Sequence, residues 1–273
     1  MVITDSFVLI NYPKTGSTFA RAVLKEVHEL QLADRSFTRK ITDALHVTSK
    51  PFFEELMLPN IKVKHVKRPK DQHGCFCQIP HKYRDKKVTT IIRNPYSRFM
   101  SAYTYKWWQK FPPLKAELLE KNFPNFPDLS LDEYVDLMQM AMIHGRLEGK
   151  NIEGVGDQTV QFIQMFFKQP EKTLSSLSRE YINSEKPFDD IADIHFIQQE
   201  DLNNQLANLL TAHGYAKKYS DYAKSKERMN VTEMSEDREK IWTPKALNYI
   251  EKNERMIFRI YERAGIHYSK PQL

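Results

Sequence analysis

A short glycine-containing segment near the start of the chain has the residue types of an anion-binding loop. It reads INYPKTGST from Ile10 to Thr18 and lies between a β-rich run, SFVLIN, and a run with helical spacing of its apolar residues. Gly16 permits close approach of the backbone to a ligand, Ser17 and Thr18 offer hydroxyl and N–H groups, and a helix start attracts anions. Lys14 adds a mobile positive charge. The segment predicts a phosphate-binding turn, and a plain strand-to-helix turn is the alternative.

A second motif, RNPYSRFMSAY from Arg93 to Tyr103, follows another β-rich run, KVTTIIRN. Pro95 is suited to the first turn of a helix. Arg93 presents a forked cation at the end of the strand, and Ser101 lies eight residues further on. Ligands of open α/β sheets bind beyond the carboxyl ends of the strands, so both motifs are expected to face one crevice. For an isolated arginine, a surface or helix-capping role is the more ordinary interpretation.

Together the two motifs resemble the signature motifs of sulfotransferases that use 3′-phosphoadenosine 5′-phosphosulfate (PAPS), and the pattern is most similar to the carbohydrate sulfotransferases. IQQEDL from Ile197 to Leu202 resembles a strand end of that subgroup without its arginine and tyrosine, and ERMNVTEM and WTPKALNYIEKNERMIFRIY resemble its C-terminal region. The resemblance implies a P-loop-like sulfotransferase fold. It assigns the 5′-phosphosulfate to Lys14, Thr15, Gly16, Ser17 and Thr18, and the 3′-phosphate to Arg93 and Ser101.

Lys14 comes two residues before Gly16, whereas a triphosphate loop ends Gly-Lys-Ser/Thr. This earlier position of the lysine is consistent with a sulfo donor. PAPS transfers a singly charged sulfonate and leaves 3′-phosphoadenosine 5′-phosphate (PAP), whereas a triphosphate loop manages its phosphates with Mg²⁺. No metal is therefore expected. The resemblance gives Lys14 a catalytic role as well, because negative charge grows on the departing phosphate oxygen in the transition state.

The acceptor hydroxyl must lose a proton, so a general base is expected near the transferred sulfur. His73, in the loop-like stretch DQHGCFCQIPH between the two motifs, is the favoured candidate, since histidine-type carbohydrate sulfotransferases carry their base in that interval. Other candidates stay open, and they are His46, His65, His81, Glu26 and Glu29.

An acceptor site is predicted from aromatic, polar and basic residues. Trp107 and Trp108 could supply a platform for a sugar ring, although core packing is expected for at least one of them. Gln158 and the basic segment from Lys62 to Lys87, which has nine basic and two acidic residues, could line the site. The predicted acceptor is a hydroxyl of a carbohydrate or another polyhydroxylated molecule.

The alternation of β-rich and helical runs predicts an α/β fold, a single domain over residues 1–273 with a central, mostly parallel sheet flanked by helices. Strands are expected at Ser6 to Asn11, Lys87 to Asn94 and Ile194 to Gln199. Helices are expected at Ser17 to Gln31, from Pro95 through Trp108, after Ile194 to Gln199 up to a stop at Gly214, and over Leu131 to His144, Gln158 to Phe167 and Lys245 to Ala264. The Pro-rich stretch from Lys110 to Asp128 is predicted to be a surface excursion.

Composition limits the remaining function classes. The net charge is +6, and the basic segment alone carries +7, so the rest of the chain is close to neutral. Cys75 and Cys77 are too close for a disulfide framework and too few for a structural zinc site, which favours a reducing, cytoplasmic setting. No run predicts a membrane span or a signal peptide. A P-loop kinase and a non-catalytic RNA- or polyanion-binding module are the alternatives; a nucleic-acid partner is not favoured, and the oligomeric state is open.

Overall fold

The computed structural model describes residues 1–35, 50–61, 70–227 and 241–273. These residues fall into two compact units. The first contains residues 1–35, 50–61, 70–93 and 193–227, and the second contains residues 94–192 and 241–273. The chain passes between the units more than once, and the expectation of a single domain stays a prediction.

The first unit contains a five-stranded sheet. Its strands are β1 (Val2–Thr4), β2 (Phe7–Ile10), β3 (Phe53–Glu55), β4 (Lys87–Ile92) and β5 (Ile194–Gln198), in the order β3-β1-β2-β4-β5. β1 runs antiparallel to both of its neighbours, β2 and β3, whereas β2, β4 and β5 are parallel to one another. The prediction of an α/β fold with a mostly parallel sheet is confirmed. The three strands predicted from the sequence are present, whereas β1 and β3 were not predicted.

Thirteen helices accompany the sheet in the described part of the chain. In chain order they are α1 (Ser17–Ala33), α2 (Pro95–Tyr105), α3 (Trp107–Lys110), α4 (Ala116–Asn122), α5 (Leu131–Ala141), α6 (Asp157–Phe166), α7 (Pro170–Ser175), α8 (Arg179–Asn183), α9 (Lys186–Asp190), α10 (Leu202–Ala212), α11 (Lys217–Ser225), α12 (Pro244–Asn253) and α13 (Arg255–Arg263). Among the described residues, none of these helices is long and apolar enough to cross a membrane.

The core of the first unit lies between the sheet and three helices. Apolar residues at helical spacing on α1, such as Phe19 and Val23, contact Phe7 and Leu9 of β2 together with leucines of α10. Tyr219 and Ala223 of α11 complete this cluster. Residues that alternate with these along the strands are also buried. This two-sided burial explains why β2 reads as a continuous apolar run rather than an alternating one.

The register of β2 and β4 brings their carboxyl ends to the same edge of the sheet. Ile10 pairs with Thr90 in this parallel ladder, and the Thr90 Oγ1 donates to the Ile10 carbonyl at 2.9 Å. The two segments that follow, which begin at Asn11 and Arg93, therefore leave the sheet on one side. Both sequence motifs begin at this edge.

The described part of the second unit is helical and has a core rich in aromatic residues. Tyr96 and Phe99 of α2, Trp108 of α3, Tyr134 of α5 and Tyr249 of α12 belong to one buried cluster. Leu119 and Phe123, from the Pro-rich stretch, are part of the same cluster. Most of the stretch is exposed, in line with the predicted surface excursion, but α4 forms within it and Leu119 and Phe123 are buried.

Three predicted helices are interrupted where the spacing suggested one continuous helix. Lys106 adopts a left-handed conformation with φ of 54°, and it separates α2 from α3. The helix predicted to reach His144 ends at Ala141 and continues as a short π-helical turn over Met142–Arg146. The third predicted helix is divided at Glu254 into α12 and α13. The apolar spacing continues across each interruption, so the pattern gave no sign of it.

The division at Glu254 has a clear physical cause. This fully buried carboxyl group accepts the backbone N–H groups of Gln158 at 3.2 Å and Thr159 at 2.6 Å, in the first turn of α6. Thr159 Oγ1 lies 2.8 Å from the same carboxyl group. Burial raises the pKa of Glu254 to about 8, against the opposing effect of the Thr159 hydrogen bonds. The side chain thus caps one helix while its backbone ends another.

Candidate active site at the carboxyl edge of the sheet

The loop that follows β2 has an unusual backbone. Lys14 has φ of 66° and Gly16 has φ of 87°, so two of its residues occupy the left-handed region. Thr15 between them is fully buried, and its Oγ1 donates to the Tyr12 carbonyl at 2.9 Å. A lysine in this conformation is strained, and such strain is concentrated at functional sites. The loop is therefore built in a fixed shape.

Gly16 is required at its position for two reasons. Its positive φ is costly for any residue with a Cβ atom. A Cβ atom there would also lie 3.0 Å from Leu202 Cδ2 and 3.2 Å from Gln199 Cγ. The glycine consequently lets the start of α1 lie close to the end of β5.

The loop ends at the N-terminus of α1, as the sequence predicted. Gly16 is the N-cap residue, no side chain caps the helix, and its first turn contains no acidic residue. Ser17 is buried and Thr18 is exposed. A 17-residue helix with this N-terminus offers its backbone N–H groups and its positive dipole end to an anion.

Arg93 joins this loop from the end of β4. Its Nη1 donates to the Lys14 carbonyl at 3.3 Å, within the first unit. The structure therefore brings together two residues that are 79 positions apart and that came from separate motifs. Ser101, the partner predicted for Arg93, is half-buried on α2 in the second unit.

His73 lies at the same edge as the loop. Its Nδ1 is 2.7 Å from the carbonyl oxygen of Asn11, the first residue after β2. Because a carbonyl oxygen only accepts, Nδ1 carries the proton and Nε2 keeps its lone pair in the neutral ring. The His73 backbone N–H donates to Asp71 Oδ1 at 2.9 Å, which fixes the segment. The ring thus has the tautomer that a general base acting through Nε2 requires.

Gln72 and Arg21 surround the other side of the His73 ring. Gln72 Nε2 lies 3.3 Å from His73 Nε2, and Arg21 Nη1 donates to Gln72 Oε1. Arg21 Nε also donates to Glu55 Oε1 at 3.0 Å. None of these partners was predicted from the sequence. Gln72 is adjacent to His73, but Arg21 is 51 residues away from Gln72 and only tertiary contact reveals it.

The alternative bases differ in position. Glu26 on α1 accepts hydrogen bonds from Tyr222 at 2.6 Å and Lys226 at 3.0 Å, and the bond from Lys226 lowers its pKa. Such a paired carboxylate is a weak base. Glu29 and His81 are exposed. His46 and His65 lie outside the described residues.

The three predicted acceptor residues all belong to the second unit. Trp108 is a core residue, as expected for at least one of the two tryptophans. Trp107 is 36% exposed and stacks on Tyr105, with ring centroids 6.1 Å apart. Gln158 is buried, its Nε2 donates to the Pro95 carbonyl at 3.0 Å, and its Oε1 accepts from Arg98 at 2.9 Å. These bonds describe a structural role for Gln158, and its position does not support an acceptor contact.

The cysteines and possible metal ligands add no further centre to the described part of the chain. Cys75 is buried and Cys77 is exposed, so the two side chains point to different environments, as expected. Within residues 1–35, 50–61, 70–227 and 241–273, no group of three or more His, Cys, Asp or Glu side chains could hold a metal ion.

Comparison with known proteins adds no identification. The chain matches no family model, no curated protein and no solved structure.

Proposed function

We propose that the chain is a PAPS-dependent sulfotransferase that transfers the sulfo group to a hydroxyl of a carbohydrate or another polyhydroxylated acceptor. The observation that carries the proposal is the meeting of three sequence-predicted residues at one edge of the sheet. Arg93 binds the carbonyl of Lys14, and His73 binds the carbonyl of Asn11, where the same loop begins. A fixed loop, a forked cation and an oriented imidazole are the parts that sulfo transfer needs.

The donor would lie with its 5′-phosphosulfate at the loop and at the N-terminus of α1. Backbone N–H groups and the Ser17 and Thr18 hydroxyls would bind its oxygens. The 3′-phosphate is assigned to Arg93, whose guanidinium can bind two phosphate oxygens. The sequence motif adds Ser101 to that assignment.

The transfer step moves one sulfo group and one proton. The acceptor oxygen attacks sulfur, a new S–O bond forms, and the bond between sulfur and the phosphate oxygen of PAPS breaks. His73 Nε2 takes the hydroxyl proton, and PAP leaves with the electron pair of the broken bond. Lys14 stabilises the negative charge that develops on the departing phosphate oxygen.

A ligand panel tests the proposal against its alternatives. Stability to urea is measured with PAP, with ATP plus Mg²⁺, and with single-stranded RNA at two salt concentrations. PAP at 100 times its Kd should add about 2.7 kcal/mol to the free energy of unfolding, without any metal. Stabilisation by ATP and Mg²⁺ alone would favour a kinase. Salt-sensitive RNA binding without an effect of PAP would favour a polyanion-binding module.

A further inference from the structure

The Gln72 amide occupies the ring nitrogen of His73 that the proposed reaction uses. The Gln72 Oε1 accepts from Arg21, and Gln72 Nε2 lies 3.3 Å from His73 Nε2. A guanidinium group only donates hydrogen bonds, so the amide oxygen must face Arg21. The amide nitrogen therefore faces His73, and the orientation of the Gln72 side chain follows from the chemistry of its partner.

This orientation restricts the protonation state of His73. The amide nitrogen of Gln72 only donates, so His73 Nε2 must accept. At the other end of the ring, Nδ1 donates to the Asn11 carbonyl at 2.7 Å. The neutral ring protonated on Nδ1 satisfies both neighbours. A proton on Nε2 would instead point at the N–H groups of Gln72.

The elements around the pair hold it in place. Arg21 projects from α1 and binds Glu55 of β3 at 3.0 Å. The backbone carbonyl of Gln72 accepts from Asn11 Nδ2 at 3.2 Å and from the Met1 amino group at 2.6 Å. Charged groups near the two side chains include Arg21, Glu55, the Met1 amino group and Asp71, which accepts the His73 backbone N–H. Gln72 cannot turn its amide without losing the bond from Arg21.

We propose that Gln72, oriented by Arg21, is a positioning residue that keeps His73 neutral with its Nε2 lone pair available to the acceptor. The acceptor hydroxyl replaces the Gln72 amide at Nε2 when it binds. After transfer, the new Nε2 proton faces a donor instead of an acceptor, which favours its release to solvent. The inference rests on the proposed function for the role of His73 as base, but the protonation state of the ring can be observed without turnover.

The test combines ring ¹⁵N NMR of His73 at neutral pH with turnover of PAPS to PAP. In the wild type, Nδ1 should be protonated and Nε2 should not. Gln72→Glu places a carboxylate at Nε2, so both nitrogens should be protonated. Gln72→Met removes the donor that faces Nε2, so a larger share of the rings than in the wild type should carry a proton on both nitrogens. Both variants should lower kcat, by up to about a hundredfold, with the KM for PAPS little changed, because less of the base is neutral while the donor site is unaltered.

Gln78→Glu is the matched control, because it makes the same charge change in the same segment. Its side chain contacts the Cys75 backbone N–H and the Pro59 carbonyl. The control should leave the His73 signals and kcat unchanged. A wild-type ring protonated on Nε2, or a ring that Gln72→Glu leaves unaltered, would overturn the inference. If the ring responds as expected but the wild type never forms PAP from PAPS, the inference about Gln72 and His73 stands and the proposed function fails.

Discussion

Replacement of Gly16 by alanine tests whether the shape of the loop serves the donor site. Gly16 has φ of 87°, a conformation that costs an L-residue about 1 to 2 kcal/mol. The new Cβ atom would lie 3.0 Å from Leu202 Cδ2 and 3.2 Å from Gln199 Cγ. Leu202 is buried in the core and has little room to move, so overpacking should add roughly 1 to 3 kcal/mol. We expect a total loss of about 2 to 5 kcal/mol.

Gly214→Ala is a matched control in the same unit. Gly214 has φ of 76°, but no atom lies within 4 Å of an added Cβ. It should lose only the conformational part, about 1 to 2 kcal/mol. Urea unfolding gives both free energies, and calorimetric titration with PAP gives both affinities.

The two variants should differ in binding as well as in stability. Gly16→Ala displaces the loop and the start of α1, so PAP affinity should fall by about tenfold or more, which corresponds to at least about 1.4 kcal/mol. Gly214→Ala should bind PAP as the wild type does. Equal PAP affinity in both variants and the wild type would refute the assignment of the loop to the donor.

Three further predictions address single side chains. Lys14→Ala should lower kcat by about 10² to 10³ and weaken PAPS binding less, because the charge that Lys14 stabilises grows toward the transition state. Lys14→Gly, which relieves the positive φ, should show the same loss of kcat. A change in the KM for PAPS alone would contradict this role. His73→Ala should lower kcat by about 10² to 10⁴ with PAP affinity unchanged. His81→Ala, in the same segment, should leave kcat unchanged. Near-normal turnover of His73→Ala would show that another residue is the general base. Because burial raises the pKa of Glu254 from 4.5 to about 8, the stability from its neutral form is complete below about pH 4.5 and is lost as the pH rises through about 8. Between about pH 4.5 and 8, the free energy of unfolding of the wild type, measured with urea, should therefore fall relative to that of Glu254→Gln. A difference between the two proteins that does not change with pH would contradict the raised pKa.

The parts of the fold that depend on local pattern could be predicted from the sequence. The apolar runs of β2, β4 and β5 are found within one or two residues of their predicted bounds. β1 and β3 were missed because each has only three residues and its partners are set by tertiary pairing. Gly214 could be read as a helix stop because a positive φ favours glycine there.

The interruptions at Lys106 and Glu254 could not be predicted, for a different reason. Lys106 takes a left-handed conformation although lysine has no preference for it. Glu254 ends α12 while its carboxyl group binds the first turn of α6, almost a hundred residues away in the chain. The break at Glu254 depends on contacts that the periodicity of one segment does not record, and the residue type at Lys106 gives no sign of the other break.

In the candidate site, too, some features could be predicted from local motifs and others depend on tertiary contacts. The loop and Arg93 could be predicted because strand ends and helix starts concentrate their polar residues in short motifs. The tautomer of His73 could not, since it depends on the backbone carbonyl of Asn11, 62 residues earlier. Arg21 was not predicted, because its bond to Gln72 forms only in the folded chain.

The most direct measurement is calorimetric titration of PAP and of adenosine 5′-phosphosulfate against the wild type, Arg93→Ala and Arg93→Lys. A hydrogen bond to a charged group is worth roughly 1.5 to 3 kcal/mol, so Arg93→Ala should bind PAP about ten- to a hundredfold more weakly. Arg93→Lys keeps the charge without the fork and should recover part of the loss. Adenosine 5′-phosphosulfate, which has no 3′-phosphate, should lose much less affinity than PAP, because for this nucleotide only the bond between Arg93 and the Lys14 carbonyl is removed. An equal loss for both nucleotides would contradict the account, because Arg93 would then act only by supporting the Lys14 loop and would not hold the 3′-phosphate.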